Sequence, residues 1–162
     1  MKLIITDIES PKFNVQDEHK VISPKCKIHR CIGCFSCWTK TPGECIIHDS
    51  YEKVSLYMSK CTELIIVSKC SYGSVSSFVK AVQDRNISYI HPCFVIKNGE
   101  MHHKRRYDNT ITVSAVFYGE NISEREKATA RKFISANADN YNANVGYIKF
   151  TENQEQAQEV AL

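Results

Sequence analysis

No apolar run in the 162-residue chain approaches the length of about 20 residues that a membrane-crossing helix needs. A membrane-spanning protein is therefore not expected. Charge of one sign is also scarce: the formal net charge is only +3. That balance gives no global case for a nucleic-acid partner or an acidic membrane surface. The one basic cluster is Lys104-Arg105-Arg106, preceded by His102-His103, and the plain reading of so short a cluster is a solvated face. The opening residues, Met1 to Asp7, are too few and too soon charged for a secretory signal. The expected location is cytoplasmic, where thiols stay reduced and cysteines serve metal or catalytic chemistry more often than disulfides. There is no internal repeat and no linker. The length suits a single domain over 1–162 with a full core.

What the chain does have is cysteine, eight in all. Four of them fall between residues 31 and 45 as C-x2-C-x2-C-x7-C: Cys31, Cys34, Cys37 and Cys45. The first three fit within about two turns of helix or a tight coil. A turn at Pro42-Gly43 sends the chain back so that the fourth passes the others. A compact cysteine run with one outlier is a pattern that holds iron–sulfur clusters. Structural zinc more often uses two separated C-x2-C knuckles. Thiol redox chemistry and simple burial as small apolar side chains stay open beside these. His29 and His48 flank the run as possible replacement ligands, or as ordinary structural histidines. Trp38 follows Cys37 directly and suits shielding of a cluster, packing on a ring ligand, or plain core. Cys61, Cys70 and Cys93 stand in apolar or strand-end contexts and are expected to pack. Cys70 carries a small reserve for a helix N-terminus that would lower its pKa.

Periodicity orders the rest. Leu3-Ile4-Ile5 and Val21-Ile22 read as short strands closed by Ser-Pro pairs. Val54, Met58 and Cys61 recur at helical spacing, with Asp49 or Ser50 as cap. Leu64 to Val67 is continuously apolar, like a strand covered on both faces. A polar loop, Ser68 to Ser74, leads to a helix with Val75, Phe78, Val79 and Val82 on one face, ending near Asp84-Arg85. Phe94 to Met101 reads as a hairpin around Asn98-Gly99, because both turn residues need positive φ. Ile111 to Tyr118 is a strand. Ser123 to Glu126 is a capping box that starts a helix with Ala130, Phe133, Ile134 and Ala138. Val145 to Phe150 makes a last strand, and the acidic, Gln-rich tail is a short helix or frayed. Alternating strands and helices predict an α/β, doubly wound, mostly parallel five-stranded sheet with helices on both faces. Ligands of such sheets lie at the carboxyl ends of the strands, which here means the loops Ser68–Ser74 and Tyr118–Asn121.

With these segments together, the sequence resembles the flavodoxin-like NAD(P)H-dependent FMN reductases, and within them the iron–sulfur flavoprotein branch. The likeness rests on the cysteine run, the strand Leu64 to Val67, the loop Ser71-Tyr72-Gly73 and the helix end Lys80 to Arg85. It covers about residues 26 to 150. Lys69-Cys70 departs from the proline context usual in the family's loop. The resemblance implies a flavodoxin-like fold and cluster ligation by Cys31, Cys34, Cys37 and Cys45. It implies FMN beside Ser68, Ser71, Tyr72 and Gly73, with Tyr118 and Gly119 along the same edge. It also implies a redox partner or NAD(P)H, and a homo-oligomer, dimer or tetramer, with the Asn98-Gly99 hairpin as an interface arm. No catalytic residue is assigned.

The first strand departs from that family. The family's phosphate loop is rich in Ser, Thr and Gly and opens a long helix whose N-terminus holds the phosphate. Here Asp7-Ile8-Glu9-Ser10-Pro11-Lys12 follows, with no glycine and two carboxylates. The expected outcome is a shortened first βα unit without an FMN phosphate site. Two functions remain: a redox protein, oxidoreductase or electron carrier, with a four-cysteine cluster; or a degenerate flavodoxin-like domain that has lost FMN and acts as a metal-binding, thiol-redox or interaction module. For Tyr72 the competing reading is an ordinary surface turn. For His102, His103, Arg105 and Arg106, phosphate attraction competes with a polar hairpin face.

Overall fold

Three apolar runs dictate the centre of the molecule. The computed structural model describes residues 1–161. In it β1 (Lys2–Thr6), β3 (Glu63–Lys69) and β6 (Thr112–Tyr118) lie side by side, with β2 (His19–Ile22) and β7 (Asn144–Thr151) at the edges. The order is β2-β1-β3-β6-β7 and every pairing is parallel. Leu3 pairs with Leu64 and Leu64 with Val113; Ile5 pairs with Ile66 and Ile66 with Ala115. Continuous burial of these strands is what a parallel sheet covered on both faces requires.

Alternation along the strands separates two cores. Leu3, Ile5, Leu64, Ile66, Val113, Ala115 and Phe117 face one side. There they meet Val54 and Met58 of α2 (Val54–Lys60), Val79 and Val82 of α3 (Ser77–Asp84), and Ala130, Ile134 and Ala138 of α4 (Glu124–Tyr141). Ile4, Ile65, Val67 and Val116 face the other side, against Ala157 of α5 (Gln154–Val160) and Ala161, with Ile8, Phe13 and Val15 packed in from the β1–β2 connection. That connection, residues 7–18, contains no helix, so the shortened first unit expected from the sequence is present.

Local chemistry fixes the element ends. Ser123 and Glu126 form the expected capping box on α4, and Asn142 closes that helix at φ 53°. The tail forms α5, capped by the Asn153 side chain. Asn98 and Gly99 take φ 53° and 82° and join β4 (Ile90–Lys97) to β5 (Glu100–Arg105) as an antiparallel hairpin outside the main sheet. One sequence expectation is corrected. Neither Asp49 nor Ser50 caps α2, which starts at Val54 with no side-chain cap. The Asp49 carboxylate has another partner.

Candidate functional site

The cysteine run is mostly loop, shaped by left-handed residues. Gly33 and Phe35 have φ 66° and 54°. For a non-glycine residue such as Phe35 this conformation is strained, a feature that clusters at functional sites. Only Ser36–Thr39 is helical (α1). The Pro42-Gly43 turn acts as expected: Gly43, at φ 89°, donates its N–H to the Cys37 carbonyl at 3.0 Å and directs Cys45 back toward the others. Trp38 fastens the run to the hairpin base. Its indole N–H reaches the carbonyls of Ile87 (3.2 Å) and Ile90 (3.0 Å), and its ring stacks on Phe35 and leans on His103.

Cys31, Cys34, Cys37 and Cys45 line one cavity of about 160 Å³, together with Ile32, Phe35, Ile46, Ile47, Ile87 and Arg85. A space of that size takes a group as large as benzene. Cys37 is the buried member. Burial pushes its thiol pKa up, and the charges of Cys45, Cys31 and Cys34 add to that. The Ser36 backbone and hydroxyl hydrogen bonds draw the exposed Cys34 thiol down. Among the described residues, no three His, Cys, Asp or Glu side chains converge as a ready site for a metal ion. The four cysteines share the lining of this one cavity. His29 lies outside, its Nδ1 3.5 Å from Asp49 Oδ2, and His48 is exposed.

Arg85, just past the end of α3, closes the inner wall. Its side chain is 0% exposed and that of Asp49 only 6%. All five guanidinium donors are used. Nε donates to Cys45 Sγ at 3.1 Å. Nη1 donates to the His29 carbonyl and Asp49 Oδ2, both 2.8 Å. Nη2 donates to the Ile47 carbonyl (2.9 Å) and Asp49 Oδ1 (3.1 Å). Burial opposes ionisation of Asp49, yet Arg85 and the Tyr51 and His29 amides outweigh it and hold the carboxyl at about 2. The sequence showed Arg85 only as a helix end and Asp49 only as a cap. A buried Arg with a matching carboxylate 36 positions away leaves no local signal.

The residues expected at the carboxyl edge are not brought to the cysteines. Ser68 Oγ donates to the Lys69 carbonyl and accepts the Ser76 N–H at 2.8 Å, which anchors the start of α3. Ser71 and Ser74 close a tight turn by mutual backbone bonds, leaving Tyr72 93% exposed. A Cβ on Gly73 would meet the Thr129 Cβ at 2.6 Å, so its smallness serves packing on α4. Tyr118 donates its hydroxyl to Asp7 Oδ1 (3.0 Å). Burial, then the Asp7 charge, pushes its pKa up. Gly119 N–H is taken by the Thr151 carbonyl. This edge and the cysteine cavity lie at opposite ends of α3, whose eight residues span about 12 Å. Cys61 is buried and Cys70 half-buried as expected, whereas Cys93 is exposed. Cys70 lies well before α3, which Ser76 caps, and burial pushes its pKa up. Of His102, His103, Arg105 and Arg106, only Arg105 is exposed, and it donates to the Asp108 and Asn109 carbonyls. The His102 side chain, 11% exposed, approaches Glu100, and His103 packs between Trp38 and Phe94.

An FMN phosphate does not fit here. Asp7 places its own carboxylate at the end of β1 and takes the Lys69 N–H at 3.0 Å. The cavity of about 660 Å³ beyond it is lined by Glu120, Glu126, Glu152 and Glu155 against one cation, Lys69. No helix follows β1 to supply unpaired amides.

Over their whole lengths, two solved structures follow the same path. The crystal structures of azoreductase AzrA and of azoreductase from Bacillus anthracis str. Sterne superpose with TM-scores of 0.54 and 0.55, at 10% identity, covering 99% of this chain and 98% of theirs. The fold is flavodoxin-like. In sequence, the chain is 31% identical over 87 residues to the iron–sulfur flavoprotein of Archaeoglobus fulgidus, covering 54% of this chain and 37% of that protein. The flavodoxin-like chain thus matches well under half the length of that curated relative. No protein-family model matches it. The structural likeness bears out the flavodoxin-like fold, and the partial sequence likeness supports the resemblance to an iron–sulfur flavoprotein. Among the described residues, no helix is long and apolar enough to cross a membrane.

Proposed function

We propose that this flavodoxin-like chain is an electron carrier whose Cys31, Cys34, Cys37 and Cys45 hold an iron–sulfur cluster. The observation that carries the reading is the gathering of all four thiols around one cavity walled by Ile47, Ile87 and Arg85. A shared cavity of about 160 Å³ with no convergent metal-ion group among the described residues suits a cluster, whose thiolate ligands sit on different irons, better than a single zinc ion, whose ligands sit about 2.3 Å from one centre. When bound, such a cluster supplies one-electron transfer between a low-potential electron donor and an acceptor protein. The residues do the rest. Gly33 and Phe35 aim the first three cysteines, Gly43 returns the fourth, and the Ile87 and Ile47 side chains limit water at the inner wall. The rim is apolar as well: Ile32 is 73% and Phe35 49% exposed, a surface for a redox partner. The hairpin, with Phe94, Ile96 and Met101 exposed, is the arm assigned to a second copy.

A second reading is favoured by the carboxyl edge. Its carboxylates and missing helix support a chain that works without FMN of its own, and leave metal or thiol chemistry at the cysteines as its task. The test is anaerobic purification and reconstitution with ferrous iron and sulfide, with metal, sulfide and flavin analysis. A brown chromophore with iron and acid-labile sulfide, lost in Cys37→Ser, is the expected result. Stoichiometric zinc and no chromophore would reject the cluster.

A further inference from the structure

We propose that Arg85 sets the reduction potential of the group held by Cys31, Cys34, Cys37 and Cys45, by hydrogen-bonding the Cys45 sulfur with a buried positive charge. The inference rests on the cluster reading above and assigns its tuning residue. Hydrogen bonds to ligand sulfur and nearby charge are the protein's levers on such a potential, and a charged donor makes the stronger bond. Here the donor is fixed in direction. Four of the five Arg85 N–H groups are held by His29, Ile47 and both Asp49 oxygens. The fifth, on Nε, is left pointing at Cys45 Sγ at 3.1 Å. Asp49 faces the two terminal nitrogens and not Nε, so its charge sits behind the guanidinium as seen from the sulfur. Lys in this position has neither the fork nor the five donors.

Reduction adds one electron and moves no bond or proton; in the test that electron comes from dithionite, which is oxidised. A positive charge at the sulfur favours the more negative, reduced state, so Arg85 raises the potential and Asp49 lowers it. A residue that only braces the loop would not produce opposite signs from these two positions.

The experiment is an anaerobic redox titration of reconstituted protein, read by absorbance and electron paramagnetic resonance, with iron and sulfide counted in each sample. Arg85→Gln is expected to shift the reduced-to-oxidised ratio at fixed potential at least tenfold toward oxidised, which is about 59 mV for one electron. Asp49→Asn is expected to shift it the other way, and Arg85→Lys to fall between wild type and Arg85→Gln. If Arg85→Gln does not fold or load, the opposite shifts of Asp49→Asn and Arg85→Lys carry the test. Loaded variants that all stay at the wild-type potential, or all move in one direction, overturn the role of Arg85 and leave the cluster standing. A wild-type protein that takes up no iron and sulfide overturns the cluster reading itself.

Discussion

Replacing Asp49 by Asn is the sharpest probe of how the cysteine segment is held. Arg85 and the Tyr51 and His29 amides hold the wild-type carboxyl at about 2 against a usual 3.8, a gap worth about 2 kcal/mol. Because the folded-state value is depressed, this stabilisation is present above pH 3.8 and is lost as pH falls through about 2. Asn cannot ionise and leaves the wholly buried Arg85 side chain without its counter-ion. Removing one partner of a buried pair costs about 3–5 kcal/mol. An Asn oxygen still accepts one or two of the former bonds, so a loss of about 3 kcal/mol at pH 7 is expected. The assay is urea unfolding followed by circular dichroism and by the fluorescence of the single tryptophan, Trp38, which packs beside the site. Repeated from pH 6 to pH 2, the gap between wild type and Asp49→Asn should narrow by about 2 kcal/mol below pH 4. Taking the difference removes the titration of every other carboxylate. A gap near zero at pH 7, or one that does not change with pH, would refute the buried pair as the clamp on the loop.

Ser123→Ala removes the α4 capping box and should cost about 1 kcal/mol in the same urea assay. Gly73→Ala, forced to φ 76° with its Cβ 2.6 Å from Thr129, should cost more than about 1 kcal/mol. The neighbouring Tyr72→Ala, on a side chain 93% exposed, should stay within about 0.5 kcal/mol; equal losses at the two positions would refute the packing account of the turn. In fluorescence titrations riboflavin and FMN should bind the protein alike. FMN binding tenfold tighter would show a phosphate site that the acidic edge argues against.

The sheet was legible because its signal is local: Leu64 to Val67 is apolar without a break, Ile111 to Tyr118 is broken only by the small Thr112 and Ser114, and runs this short bounded by polar loops suit a strand covered on both faces. Turn chemistry was equally direct at Asn98-Gly99 and Ser123 to Glu126, where a specific φ or cap needs those residue types. The loss of the phosphate loop was visible as carboxylates and Pro11 where hydroxyls and glycine serve. What the sequence did not disclose was pairing at a distance. Asp49 has the composition of a helix cap, and only the fold reveals that a guanidinium from α3 competes for its oxygens and prevails. The six edge residues, Ser68 through Gly119, had the right types. The structure gives Ser68 and Tyr118 internal hydrogen-bond partners, and no local pattern distinguishes a hydroxyl that holds a helix from one that holds a ligand.

The geometry of α3 decides how the two ends of the molecule can relate. Ser68 fastens its beginning to β3 at the carboxyl edge, and Arg85 fastens its end to the cysteine segment. A rigid helix of about 12 Å therefore separates the cysteine cavity from the edge where the fold ordinarily receives a flavin. The cysteine cavity is rimmed by Ile32, Phe35 and Ile46, the last 38% exposed. Apolar side chains left in water at the lip of a site cost free energy unless something covers them during part of the cycle. On the proposed cluster reading, that lip is the surface offered to a donor or acceptor, while Arg85 lies buried in the inner wall.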